Sequence, residues 1–462
     1  MSSGVVPASF KTAKVIPIYK KNDPSSMSNY RPISILPSFS KILERIVYNR
    51  LYKFLTQNDS LNPDQFGFRK FHSTDLALLQ LFDRVSNALA DHKHVIGIFM
   101  DLSKAFDTLD HTILLYKLKH YGVRGKALDW FENYLSSRKQ YTLFNSVSSN
   151  VSSIKCGVPQ GSILGPLLFL IYVNDISNVS PILQYILFAD DTNVFYSHSD
   201  LNSMIATMNT ELPKLSKWFK SNILSLNLKK TNFIHFRNSR NHNIYNFELL
   251  VDNVPIEKKS STKFLGVYIN EKCNWNDHVN YISTPISRNI GILFKLKYFL
   301  PTHVLSMLYN TLVLPYISYC NIIWATHKCN TNRILLLQKK AIRVCTDAGY
   351  RDHTDPLFAT LKTLKISDIH YMQKSVFMFR LKSGNLPPSL VILFQHNFNF
   401  HSYPTRHSND YHLFNAKTAL AQNSIRHSGP DTWNALPPEI KTMNTMLSFK
   451  RAVKKFLIAH YL

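Results

Sequence analysis

Residues 183–197, Leu-Gln-Tyr-Ile-Leu-Phe-Ala-Asp-Asp-Thr-Asn-Val-Phe-Tyr-Ser, read as strand, tight polar turn, strand. The turn carries two adjacent acids, Asp190 and Asp191. A solvated hairpin turn explains such a pair without any function. A second stretch changes the reading. Residues 95–100, Val-Ile-Gly-Ile-Phe-Met, form a continuous apolar run that stops at Asp101. That is the pattern of a strand buried on both faces. If the two strands are neighbours, Asp101, Asp190 and Asp191 meet at one sheet edge. Uncompensated, they repel and push each other's pKa upward. Hard oxygen ligands suit Mg2+. Two such ions ~3.5–4 Å apart can activate an attacking hydroxyl and stabilise a leaving pyrophosphate.

The composition makes this acid cluster conspicuous. The chain has 462 residues with 54 Lys and Arg against 29 Asp and Glu, a formal charge of +25. That excess predicts a polyanionic partner, nucleic acid before an acidic membrane surface. With 45% hydrophobic residues, the chain has the material for a sizeable core, which argues against extensive disorder. Five widely spaced cysteines form no CxxC pair, so neither a zinc knuckle nor a secreted disulfide framework is supported, and a reducing compartment is the default. Tyr298 to His327 lacks Lys, Arg, Asp and Glu but is broken by Pro301 and Pro315, so it reads as a buried helix pair, not a membrane span.

Ser38 or Ser40 is positioned to cap a helix running through Ile42, Ile46 and Leu51. Residues 203–220 read as helix and 263–269 as a strand. Between Trp275 and Thr346 stand eight Lys or Arg and one acid, Asp277, on segments of helical pattern. Among them, Arg333, Lys340 and Arg343 fall close to one helix side, which suits a clamp on a phosphate backbone. The last ~70 residues, by the length of their Pro-, His- and Asn-rich pattern, read as a small irregular domain or a packed extension.

Phe188-Ala189-Asp190-Asp191 resembles motif C of reverse transcriptases in the form found in non-LTR, LINE-type retrotransposons. It arrives with an ordered set. Asn29-Tyr30-Arg31-Pro32-Ile33-Ser34 and Asp64-Gln65-Phe66-Gly67-Phe68-Arg69 resemble fingers motifs. Asp101 to Asp107 resembles motif A. Gly157-Val158-Pro159-Gln160-Gly161-Ser162 with Leu164-Gly165-Pro166 resembles motif B. Leu226-Asn227 with Lys230-Thr231 resembles motif D, and Phe264-Leu265-Gly266-Val267 motif E. The remainder, including Ser428-Gly429-Pro430-Asp431-Thr432-Trp433-Asn434, resembles jockey-like elements less specifically.

The resemblance implies an α+β right-hand polymerase. Fingers and palm would occupy residues 1–270, a helical thumb 275–346, and an extension of unknown role 347–462. It implies RNA-directed DNA synthesis with an RNA template, a DNA primer or target site, and dNTPs. Two Mg2+ ions, with Mn2+ as an alternative, would lie on Asp101, Asp190, Asp191 and the Leu102 carbonyl. Lys20 and Arg31 would hold the triphosphate, though a solvated surface also explains Lys20. Phe106 would exclude a 2′-hydroxyl, or be an ordinary core residue. Gln160 would contact nucleotide or template, and Gly157, Gly161 and Gly165 would let backbone approach the nascent pair. Lys230 would protonate or steer pyrophosphate, or act by simple electrostatics on the template backbone. No membrane and no obligate protein partner is implied, and the resemblance places the enzyme inside the cell, in nucleus and cytoplasm, as a ribonucleoprotein. No endonuclease-like segment precedes the fingers motif, and no zinc knuckle or ribonuclease H acidic set is evident after residue 346, so the expectation is either a 5′-truncated copy or a sequence covering only the polymerase part. The rival readings are a catalytically inactive or co-opted nucleic-acid-binding remnant and a basic membrane-surface protein.

Overall fold

The computed structural model describes residues 4–238, 245–400, 406–416 and 418–461. In chain order, the elements that position the acidic cluster are β1 (Thr12–Tyr19), β2 (Tyr30–Ile35), α1 (Ser38–Gln57), α2 (Thr74–Ala90), β3 (His94–Met100), α3 (Lys126–Leu135), β4 (Arg138–Phe144), α4 (Gly165–Val173), β5 (Gln184–Phe188), β6 (Asp191–His198), α5 (Leu201–Ser221) and β7 (Asn232–Phe236). A hairpin, β8 (Ser261–Phe264) and β9 (Val267–Asn270), leads into α6 (Asn276–Leu296), α7 (Lys328–Thr346), α8 (Ile366–Lys382), α9 (Ile425–Asn434) and α10 (Met446–Ala459), with shorter helices between.

The palm sheet runs β7-β3-β6-β5, antiparallel throughout, with a two-residue parallel strand, Glu257–Lys258, at the β7 edge. β3 explains its own sequence. Val95 and Phe99 enter the core shared with α2, while Ile96, Ile98 and Met100 enter the core shared with α4. Both faces are covered, so the run is continuous instead of alternating. Gly97 is small because a Cβ there would stand 2.6 Å from the Phe195 ring. A second sheet pairs β1 antiparallel with β2 and parallel with β4. The mixed architecture is α+β, as expected.

Local readings shift in three places. α1 starts at Ser38 with Pro37 as its cap residue, and no serine hydroxyl caps it. The uncharged stretch forms three short helices, Thr302–Leu312, Leu314–Ser318 and Asn321–Trp324, not a pair. Proline opens the second of these near its N-terminus, and Cys320, left-handed at φ 49°, separates the second from the third. Among the described residues no helix is long and apolar enough to cross a membrane. The expected strand at 263–269 is a hairpin, turned by Leu265 (φ 45°) and Gly266 (φ 83°).

The C-terminal extension is packed. Phe379 of α8 stacks on Phe449 of α10 at 4.5 Å, and Ser389 donates to the buried Gln80 of α2 at 2.8 Å. One hydrophobic core runs from Phe66 through the helices after residue 275 to Tyr461.

Candidate active site

The β3–β6 register ends at Met100↔Thr192. One step further, Asp101 stands across from Asp191. β5 and β6 meet at Phe188↔Asp191, so Ala189 and Asp190 form a two-residue turn. Ala189 is left-handed at φ 56°, a conformation that costs an L-residue ~1–2 kcal/mol. The 64–67 loop holds it there. Gln65 Oε1 accepts from the Ala189 amide at 3.0 Å and from the Gly67 amide at 2.8 Å. Leu187 and Phe66 add main-chain bonds, Leu187 N to Asp64 O at 2.9 Å and Phe66 N to Leu187 O at 2.8 Å. A Cβ on Gly67 would fall 2.3 Å from the Ala189 nitrogen. Gln65 is therefore a positioning residue that the sequence alone did not single out. Its signal was the amide between an acid and a small residue in Asp64-Gln65-Phe66-Gly67.

The electrostatics follow from this placement. Burial pushes the Asp191 carboxyl up to about 6, and the charges of Asp190 and Asp101 add to it. Asp190 is also raised, first by burial and then by Asp101. Arg31 and Lys20 pull it back, which puts both fingers cations within electrostatic reach of the turn. Asp101 Oδ2 meets Lys230 Nζ at 3.1 Å and Asn227 Nδ2 at 3.3 Å. The Asn227 amide also donates to the Asp101 carbonyl at 2.8 Å. That hydrogen-bonded pair makes the next pair, Leu226↔Leu102, non-hydrogen-bonded, so the Leu102 carbonyl is directed away from this ladder.

Phe106 is half-buried, stacked on Phe169 of α4 at 4.6 Å and edge-on to Phe68 at 6.3 Å. Gln160 Nε2 donates to Asp107 Oδ1 at 2.9 Å, and the Gln160 carbonyl accepts from the Ser34 amide of β2 at 2.7 Å. The 157–165 loop is pinned from below by the buried Glu44 of α1. Its carboxylate accepts from the Ile163 amide at 2.6 Å and from the Tyr134 hydroxyl of α3 at 2.8 Å. The glycines here serve the protein's own backbone. A Cβ on Gly157 (φ 82°) would lie 2.6 Å from the Asp107 carbonyl oxygen, and one on Gly161 (φ 125°) 2.5 Å from that of Ser34. On Gly165 it would meet Ser162 Oγ at 2.5 Å.

The structure thus brings together Asp101, Asp190, Asp191 and Lys230, flanked by Lys20 and Arg31. Phe106 and Gln160 line the adjoining loop. Arg333, Lys340 and Arg343 lie apart, on α7. Arg333 donates to Asn280 of α6, and Arg343 donates twice to the Asp352 carbonyl at 3.1 and 2.9 Å. Two of the three are therefore engaged with the protein itself.

Residues 18–269 match the family model described as reverse transcriptase (RNA-dependent DNA polymerase). The chain is 26% identical over 379 residues to the RNA-directed DNA polymerase from mobile element jockey of Drosophila melanogaster, covering 79% of this chain and 41% of that one. It is 29% identical over 362 residues to the probable RNA-directed DNA polymerase from transposon BS of the same organism, covering 74% of this chain and 39% of that one. The chain thus spans about two-fifths of the length of these relatives. Among solved structures it resembles apo telomerase from Candida tropicalis, with a TM-score of 0.45 and 10% identity over 84% of this chain and 68% of that one. With the family model matched from the fingers through the hairpin at 261–270, this chain belongs to the reverse transcriptase family.

Proposed function

We propose that the chain is an RNA-directed DNA polymerase of a non-LTR retrotransposon. A primer 3′-hydroxyl attacks the α-phosphate of a dNTP paired to an RNA template, and pyrophosphate leaves. The observation that supports this is the placement of Asp101, Asp190 and Asp191 at adjoining strand ends of one sheet edge, with Arg31 and Lys20 in electrostatic reach of Asp190. All three carboxylates are present, and nothing favours the inactive reading.

The donor set fits a hard divalent ion. Three carboxylates and the Leu102 carbonyl offer only oxygen, and Asp191, raised by burial and then by the charges of Asp190 and Asp101, is a carboxyl that a cation would favour in its ionised form. Among the described residues no three acid, imidazole or thiol side chains already converge on one point. Asp101 Oδ2 is held by Lys230 and Asn227, so an ion bound at that oxygen competes with the Lys230 pair. Bound there, Mg2+ would lower the pKa of the attacking hydroxyl and neutralise charge on the departing pyrophosphate. Asp101 and Asp190 would hold the ions and Asp191 would support them. Arg31 would fork onto the triphosphate, with Lys20 as a point charge beside it. Lys230, released from Asp101, would meet the leaving group. Such an enzyme would work as a ribonucleoprotein in nucleus and cytoplasm. Purified protein given poly(rA)/oligo(dT), Mg2+ and dTTP should extend the primer; an absence of extension over a range of Mg2+ and Mn2+ sinks the reading.

Two further outcomes are expected. The Lys230–Asp101 pair is largely exposed, and such pairs contribute ~0–1 kcal/mol. Lys230→Gln should therefore lower the Mg2+ concentration needed for half of the metal-induced thermal shift by up to about fivefold. Its maximal extension rate should fall. An unchanged Mg2+ midpoint shows that the pair does not compete with metal. Phe106→Val removes a ring that touches Phe169 and Phe68. It should raise rNTP over dNTP incorporation, with a modest loss of melting temperature. A folded variant with unchanged sugar discrimination makes Phe106 a packing residue only.

A further inference from the structure

The extension ends in a helix that the polymerase motifs do not account for. α10 reads Met-Leu-Ser-Phe-Lys-Arg-Ala-Val-Lys-Lys-Phe-Leu-Ile-Ala. It contains four cations, Lys450, Arg451, Lys454 and Lys455, and no acid. Its orientation is fixed by packing. Phe449, Val453 and Leu457 are buried. Phe449 also lies on Trp433 of α9 at 5.9 Å, besides its stack on Phe379. At ~100° per residue, the three buried positions centre on one side of the helix, and Arg451 and Lys455 fall roughly opposite. Lys454 lies on the flank, ~100° from the buried centre, and Lys450 lies closer to the buried side, at ~60°. Arg451, Lys454 and Lys455 are exposed, and Lys450 is half-buried.

None of the four makes an ion pair or side-chain hydrogen bond among the described residues. This contrasts with α7, where Arg333 and Arg343 already have protein partners. Four unpartnered like charges within ~7.5 Å of helix axis repel one another. They are retained at a cost unless a polyanion relieves it. A basic amphipathic helix also suits an anionic membrane, but that mode needs a free apolar face to enter the interface. Here that face is spent on α8 and α9.

We propose that the outer face of α10 is an RNA-backbone-binding surface, separate from the palm and from the α7 stripe. Its ligand is the phosphate chain of a single RNA strand, read without base specificity. The surface would hold template outside the catalytic cleft and give the extension a role.

The test is the salt dependence of binding to a fluorescent single-stranded RNA 20-mer, measured on the full chain. Each phosphate neutralised contributes about 0.7 to the slope of log affinity against log salt. Changing Lys450, Arg451, Lys454 and Lys455 to Gln should flatten the slope by about 1.5 to 3, with the melting temperature unchanged. A slope equal to the parent's overturns the proposal. If the quadruple variant melts early, Arg451→Gln with Lys455→Gln touches only the outermost positions. That pair should lose about 1.4 of slope, and no loss again overturns the proposal. Vesicles of phosphatidylcholine and phosphatidylserine provide the other arm. Vesicle binding lost in the variant while the RNA slope stays intact assigns the face to lipid and ends the RNA reading. The result is independent of catalysis: a parent that extends no primer yet shows the slope change refutes polymerase activity and leaves this surface standing.

Discussion

Asp190→Asn extends no primer, with a loss of about 10³-fold or more, and melts no earlier than the parent. The two halves of this expectation have one cause. Asp190 sits in the β5–β6 turn with Asp191 beside it and Asp101 near it, and burial keeps its carboxyl above the usual range. Replacing a carboxylate by an amide removes a proposed metal ligand, worth several kcal/mol to charge developing at phosphate, hence the size of the expected rate loss. It also removes a like charge from a buried cluster, so the fold gains. The pH dependence gives a second readout. Asp191 titrates at about 6 in the fold, mainly from burial and next from Asp190, against an ordinary value of 3.8. A carboxyl raised on folding favours the protonated native state. Metal-free parent protein therefore loses stability as pH rises from about 4 through 6, and does not regain it above. In Asp190→Asn that decline should be shallower. Extension at the parental rate, or a steeper decline, refutes the cluster as assigned.

Gly161→Ala is expected to cost a few kcal/mol of stability and to cut extension at least ~10-fold, with the KM for dNTP rising. Gly161 has φ 125°, and its added Cβ would lie 2.5 Å from the Ser34 carbonyl oxygen. Backbone must move, and the bond from Ser34 N to Gln160 O is the first casualty, at ~1 kcal/mol. That bond ties β2, which carries Arg31, to the loop that carries Gln160. Gly384→Ala is the control. Gly384 is also left-handed, at φ 66°, but nothing stands within 4 Å of a Cβ there. It should cost only the backbone strain and leave dNTP binding alone. If both variants behave alike, the β2–loop contact does not position nucleotide.

The acids were legible because each occupies a place that only a strand end or a turn explains. Asp101 stops an apolar run, and Asp190 interrupts a hairpin. What the sequence could not show is which neighbour each side chain chooses. Lys230 reads as a group for pyrophosphate or template, and in the structure it pairs with Asp101 at 3.1 Å, a partner that spacing does not show. The glycines of the 157–165 loop read as room for nucleic acid, yet the atoms they spare are Asp107, Ser34 and Ser162. Gln65 escaped notice because its work, accepting the Ala189 amide of a turn 124 residues away together with the Gly67 amide of its own loop, leaves no periodic trace. Arg333, Lys340 and Arg343 share a helix side as their spacing requires, but spacing says nothing of Asn280 or Asp352 arriving from other segments.

The core that starts at Phe66 and closes at Tyr461 has a consequence for synthesis on the ribosome. α2 covers one face of the palm sheet, and its own outer side is covered by residues made more than three hundred positions later, Ser389 against Gln80 among them. The Tyr461 hydroxyl accepts from the Lys365 amide at 2.9 Å, so the last helix turn also locks the start of α8. A nascent chain with every polymerase motif already translated still exposes this apolar seam. Folding of the palm therefore waits for the C-terminus instead of proceeding unit by unit as the chain emerges. A stop codon shortly after residue 346 leaves all the acids in place, and its product is expected to aggregate instead of folding as a smaller unit.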